Sequence, residues 1–175
     1  MIVKFLRENV YAAGALLLLR LYIGWDWLHH GWDKITGGTF DASGFLKNAI
    51  AKPVLETGTQ NKLYPTYVAF LDNFALPNAG IFKVLIPWGE FLVGLGLILG
   101  CLTTAAAFFG VLMNFMFLLA GTVSSNPWLL LWGVIIMVAG ANAGKFGADY
   151  YVLPYIRKWL RLKPGPGYKQ QQSNV

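Results

Sequence analysis

The stretch RLYIGWDWLHHGWDK, Arg20 to Lys34, continues the apolar run YAAGALLLL without a break. It places one arginine, two aspartates, two histidines and three tryptophans at the end of a segment otherwise composed for lipid. Its reading decides between an ordinary core helix and a membrane span that carries polar groups for a purpose. Apolar residues make up 56% of the 175, charged residues only 13%, and the mean hydropathy is +0.51, a balance more apolar than that of a soluble domain. A span needs roughly 20 predominantly apolar residues. Three further windows supply them: IPWGEFLVGLGLILG, TAAAFFGVLMNFMFLLAG and NPWLLLWGVIIMVAGANAG. The expected fold is an all-α integral membrane protein, a four-transmembrane-helix bundle with spans at about 10–33, 84–100, 103–123 and 127–145.

Lys4 and Arg7 ahead of an apolar core resemble a signal peptide, but Arg20, bulky aromatics and charges follow the core where a cleavage site needs small residues. The segment therefore reads as a retained first helix. Gly100 to Thr104 makes a short uncharged connection, and Ser124, Ser125, Asn126 and Pro127 punctuate the next, with Pro127 suited to a first helical turn. Short loops imply antiparallel neighbours. The connection 34–83 is long, yet FLKNAIAKPVL and YVAFLDNFAL have helical spacing, which predicts a helical extracytoplasmic cap between helices one and two. The membrane domain then spans 1–160, and 161–175 is a basic, polar cytoplasmic tail.

The formal charge is +6, with Lys145, Arg157, Lys158, Arg161, Lys163 and Lys169 facing only Asp149 after the fourth span. Four spans put Lys4 and Arg7 on the same side, so the positive-inside rule places both termini in the cytoplasm of a multi-pass cell-membrane protein. A basic tail this close to a bilayer is a signal for orientation and anionic lipid rather than for nucleic acid.

Asp26, His29, His30 and Asp33 are spaced i, i+3, i+4 and i+7, which sets them on one helical face. Trp32, Asp33 and Lys34 read as markers of the membrane–water boundary. Arg20 lies about 20 Å along the helix from Asp33, where an isolated charge costs about 2.5–3.5 kcal/mol on insertion scales, so it requires a partner. Glu90, one turn into helix two, is the expected one, with Asp26 as the other carboxylate in reach. Burial favours a neutral carboxyl and Arg20 an ionised one; a histidine at the water edge can relay protons between them. An ion pair that only fixes helix packing is the alternative. Metal ligation is disfavoured, because adjacent His29 and His30 point about 100° apart and no second His pair exists. Cys101 is the single cysteine, which excludes thiol–disulfide exchange within the chain. Asn114 and Asn142 suit hydrogen bonds between helices.

RLYIGWDWLHHGWDKI, PWGEFLVGLGLILGCLTTAAA and NPWLLLWGVIIMVAGANAGKFGADYYV together resemble the DoxX/DoxD family of small four-helix membrane proteins. The resemblance covers most of the chain. It implies a membrane oxidoreductase role: DoxD-like members belong to thiosulfate:quinone oxidoreductases, and others are linked to quinone or oxidative stress. Arg20 and Glu90 match charged family positions, and Asp149 falls in the terminal Gly-Ala-Asp-Tyr-Tyr segment. The DoxA-like domain of thiosulfate-oxidising members has no counterpart in these residues, which leaves the electron donor unassigned. The expected site thus comprises Arg20, Asp26, Glu90, His29 and His30 as catalytic groups, with Trp25, Trp27 and Trp88 against a quinone substrate arriving through lipid. No bound cofactor is expected. The expected partners are the bilayer and a redox protein that supplies electrons, or a second copy in a homo-oligomer. Two other readings stay open: a transporter of protons or small solutes, since intramembrane charges also mark pathways, and a scaffold subunit that recruits partners through cap and tail.

Overall fold

The computed structural model describes residues 1–38 and 40–161; most of the predicted basic tail lies outside them. The described residues are all-helical apart from an isolated bridge between Leu55 and Lys62. In chain order the helices are α1 (Ile2–Glu8), α2 (Val10–Gly37), α3 (Ala42–Ala51), α4 (Pro65–Phe70) continuing through a π-turn (Leu71–Ala75), α5 (Ala79–Leu99), α6 (Thr103–Leu119), α7 (Asn126–Ala139) ending in a 3-10 turn, and α8 (Asp149–Trp159). Among them α5 is long and apolar enough to cross a membrane; α6 and α7 are shorter apolar helices, and α2 is long but interrupted by charges.

Local chemistry explains the boundaries. Asn9 starts α2 by accepting the amides of Tyr11 and Ala12 through its side chain. Gly38 and Gly100 close α2 and α5 in the left-handed conformation that an L side chain resists. Pro127 sits in the first turn of α7, where its missing N–H removes no helical bond.

The central contact joins α2 and α5. Gly24 lies against Leu97 and Ile98, whereas Gly31 lies against Pro87 and Phe91, so residue numbers rise on one helix as they fall on the other and the pair is antiparallel. A Cβ at Gly31 would stand 2.8 Å from the Phe91 Cα, and one at Gly94 2.6 Å from the Leu28 Cα. Glycine alone permits backbones this close, as in small-residue packing between apolar helices. α6 joins through Gly89 against Met113 and Gly96 against Ala106, and α7 packs on α6 at Gly133. The core between them is formed by Leu16, Ile23, Trp27, Val93, Leu97, Ala107 and Ile136. A second apolar cluster, with Leu46, Ala49, Leu71, Ala75 and Ala120, fastens the connecting helices to one end of the bundle. Asn142 donates to the Leu6 and Asn9 carbonyls and ties α1 to the end of α7.

Candidate functional site

Where the connecting helices meet the bundle, a cavity of about 250 Å³ opens between α2, α5, α6 and the start of α7. A spacing of four residues, just over one helical turn, brings Asp26, His30 and Lys34 to one line on α2, and all three face this cavity with Trp27. α5 adds Glu90, one turn after the buried Pro87. Phe40, Phe45 and Phe117 provide apolar wall, and Ser124, Ser125 and Asn126 bring the N-terminus of α7 to the opposite side.

The dominant interaction is an ion pair between Lys34 and Glu90, with Nζ donating to Oε2 at 2.6 Å and also to Oε1. The Glu90 side chain is 3% exposed and that of Lys34 28%, so the carboxylate depends on its partner more than the ammonium does. Lys34 also lies 5.4 Å from the centre of the Phe40 ring. His30 Nδ1 is 2.7 Å from the Asp26 carbonyl and 3.7 Å from Asp26 Oδ2. A backbone carbonyl only accepts, so Nδ1 carries the proton and Nε2 is left to take one. The cavity thus combines a fixed ion pair, a carboxylate and an imidazole with an open basic nitrogen. Asn114, wholly buried one turn along α6 from Phe117, has neither amide atom bonded among the described residues. Unlike Asn142, it makes no bond between helices.

The structure separates the expected site residues. Asp26, His30, Glu90 and Trp27 meet at the cavity. His29 instead pairs with Asp33 at 3.2 Å and stacks on Trp25, both rings on the exposed side of α2. Trp88 is half-exposed with its edge against Phe91. Lys34 was expected only to mark the boundary, although its four-residue spacing from His30 and eight-residue spacing from Asp26 already put it on the polar line. In sequence Ser124, Ser125 and Asn126 show turn chemistry alone, and the structure adds them to the cavity wall.

Arg20 requires a correction, because it pairs with neither Glu90 nor Asp26. The register that sets Gly24 against Leu97 brings Arg20 level with Gly100, ten residues or about 15 Å along α5 from Glu90. There it is buried, and its Nη2 donates to the Phe146 carbonyl at 2.9 Å. The guanidinium fills space left by Gly100 and Gly147, where any Cβ would overlap it. Asp149 accepts from the Leu102 amide at 2.6 Å and the Thr103 amide at 2.9 Å and so caps α6. Asp149 and Ala148 also donate their backbone amides to Gly100 and Leu99. Arg20 is the keystone of a backbone junction at the opposite end of the bundle from the cavity.

An all-helical, strongly apolar bundle with a polar cavity at one end and a buried arginine held by a backbone carbonyl at the other defines the class. A family model described as DoxX matches residues 15–125, which include α2 from Ala15 onward, the connecting helices, α5, α6 and the turn into α7. The chain belongs to the DoxX family, whose members are membrane-associated. No curated protein and no solved structure matches it.

Proposed function

We propose that the protein is a multi-pass membrane protein, with α2, α5, α6 and α7 as four spans, the connecting helices as an outer cap and both termini in the cytoplasm. In this reading the cavity holds the head group of a quinone, and the protein is a quinone-interacting oxidoreductase or a subunit of one. The observation that carries it is the Lys34–Glu90 pair buried beside His30, Asp26 and an aromatic wall. Reducing a quinone to a quinol consumes two electrons and two protons. The electrons come from a partner protein, while His30 Nε2 and the Asp26 carboxylate pass protons from the outer water. Lys34 stabilises negative charge on a reduced ring oxygen, and Trp27, Phe40 and Phe117 accept the ring face.

The apolar core from Ile23 to Leu97 and Ala107 lies between this cavity and the Arg20 junction, which favours a site at one end over a conducting path. Arg20, His29, Trp25 and Trp88 have no contact with the cavity and are assigned no step. The test is saturable binding of a short-chain quinone to the full chain in detergent, followed by equilibrium dialysis. Glu90→Gln together with His30→Ala should weaken binding at least about tenfold, the equivalent of one or two charge-assisted hydrogen bonds, whereas Trp25→Ala should leave it unchanged. Quinone binding that is absent, or indifferent to the double variant, overturns the assignment.

A further inference from the structure

The opposite end of the bundle contains a second cavity, about 440 Å³, which the quinone reading does not use. Its walls are apolar, with Leu102, Ala105 and Phe108 from the start of α6, Met137 from α7 and Leu153 from α8. Three polar residues reach it, Thr103, Thr104 and Asp149. Thr103 is wholly buried, and its hydroxyl has no hydrogen-bond partner among the described residues. The Asp149 carboxylate is already bonded to the two amides at the start of α6.

α8 forms the rim. Tyr151, Tyr155 and Trp159 recur every four residues and form one stripe, all at least 70% exposed. Arg157 follows Leu153 by one turn, so it lies on the cavity side about 6 Å further along the helix; Lys158 and Arg161 flank it. Aromatic and basic residues arranged this way suit a helix lying at head-group depth.

We propose that this cavity binds one anionic phospholipid of the cytoplasmic leaflet. An acyl chain occupies the space between Phe108, Met137 and Leu153, an ester carbonyl accepts from the Thr103 hydroxyl, and the phosphodiester meets Arg157 and Lys158. Charge complementarity selects the occupant: the walls are too apolar for a free phosphate, and the cations at the rim favour a net negative head group over a zwitterionic one. The assignment to the cytoplasmic leaflet rests on the four-span reading above.

Native mass spectrometry of the full chain in mild detergent tests the site with phosphatidylglycerol, phosphatidylcholine of the same acyl chains, and inorganic phosphate as probes. Phosphatidylglycerol should be retained about tenfold better than phosphatidylcholine, and inorganic phosphate should not displace it. Lys158 is exposed and Arg157 half-buried at the rim; Lys158→Gln and Arg157→Gln keep the length and polarity of a surface side chain, and each should reduce the preference about fivefold while the thermal melt stays that of the parent. Ala105→Phe fills the cavity and should abolish retention of both lipids. Equal retention of the two lipids, a preference that survives the charge changes or Ala105→Phe, or displacement by phosphate overturns the proposal. A chain stripped from membranes by alkaline carbonate removes the four-span reading and this site together; a chain that resists carbonate yet has no lipid preference removes this site alone.

Discussion

Breaking the Lys34–Glu90 pair from either side should give unequal losses, because the two partners are unequally buried. Lys34→Met leaves a carboxylate that is 3% exposed with no cation beside it, and a buried charge deprived of its partner costs about 3–5 kcal/mol. Glu90→Gln leaves an ammonium on a side chain that is 28% exposed, borders the cavity and can turn into water. Its cost is that of a charge-assisted hydrogen bond, about 1.5–3 kcal/mol. For a chain of this size each kcal/mol moves the melting temperature by about 2–4 °C, so Lys34→Met should lower it by about 6–20 °C and Glu90→Gln by about 3–12 °C. The double variant Lys34→Met/Glu90→Gln removes both charges and should be more stable than Lys34→Met alone. Thermal melts of the purified protein in one detergent, at one pH and salt concentration, measure all four states. Equal losses for the two single variants, or a double variant whose loss is their sum, would refute the unequal-burial reasoning.

Arg20→Lys should destabilise the protein by about 1.5–3 kcal/mol, the worth of a hydrogen bond from a charged group, because an ammonium cannot fill the space between Gly100 and Gly147 while reaching the Phe146 carbonyl. Quinone affinity, measured on the fraction that remains folded, should be unchanged, and a selective loss of affinity would return Arg20 to the site. In the connecting segment, burial pushes the Tyr67 hydroxyl up to about 12 while it donates to the Met116 carbonyl. The unfolded chain releases that proton near pH 10, so this contribution to stability is whole below pH 10 and is lost as the pH rises towards 12. Tyr67→Phe should flatten that part of the stability profile relative to the parent, and parallel profiles would show that the hydroxyl is not held away from water.

Helix ends and helix contacts were legible in the sequence because local chemistry fixes them. Pro127 begins α7, Gly100 ends α5, and Gly24 and Gly31 mark the face of α2 that approaches its neighbour. The line of Asp26 and His30 was legible for the same reason, since helical spacing alone puts both on one side. Ion partners were not, because they depend on the register between helices. Estimating depth from helix rise placed Glu90 within plausible reach of Arg20, whereas the contact of Gly24 with Leu97 carries Arg20 a further three turns away. The true neighbours, Gly147 and Asp149, come from a return of the chain after α7 that apolar windows do not reveal. Lys34 was hidden by its place beside Trp32 and Asp33, a composition that also occurs wherever a helix leaves a membrane.

Arg20 and the carbonyl that receives its hydrogen bond are 126 residues apart in sequence. At synthesis rates of about 5–20 residues per second, the arginine waits roughly 6–25 s for that carbonyl to be made. During that interval the guanidinium lacks the carbonyl that later receives its hydrogen bond, so the Arg20 end of α2 must stay hydrated while α5, α6 and α7 arrive. Closure of the junction by residues 146–149 is consequently a late event in biogenesis, and a chain halted before those residues would carry an arginine still accessible to solvent.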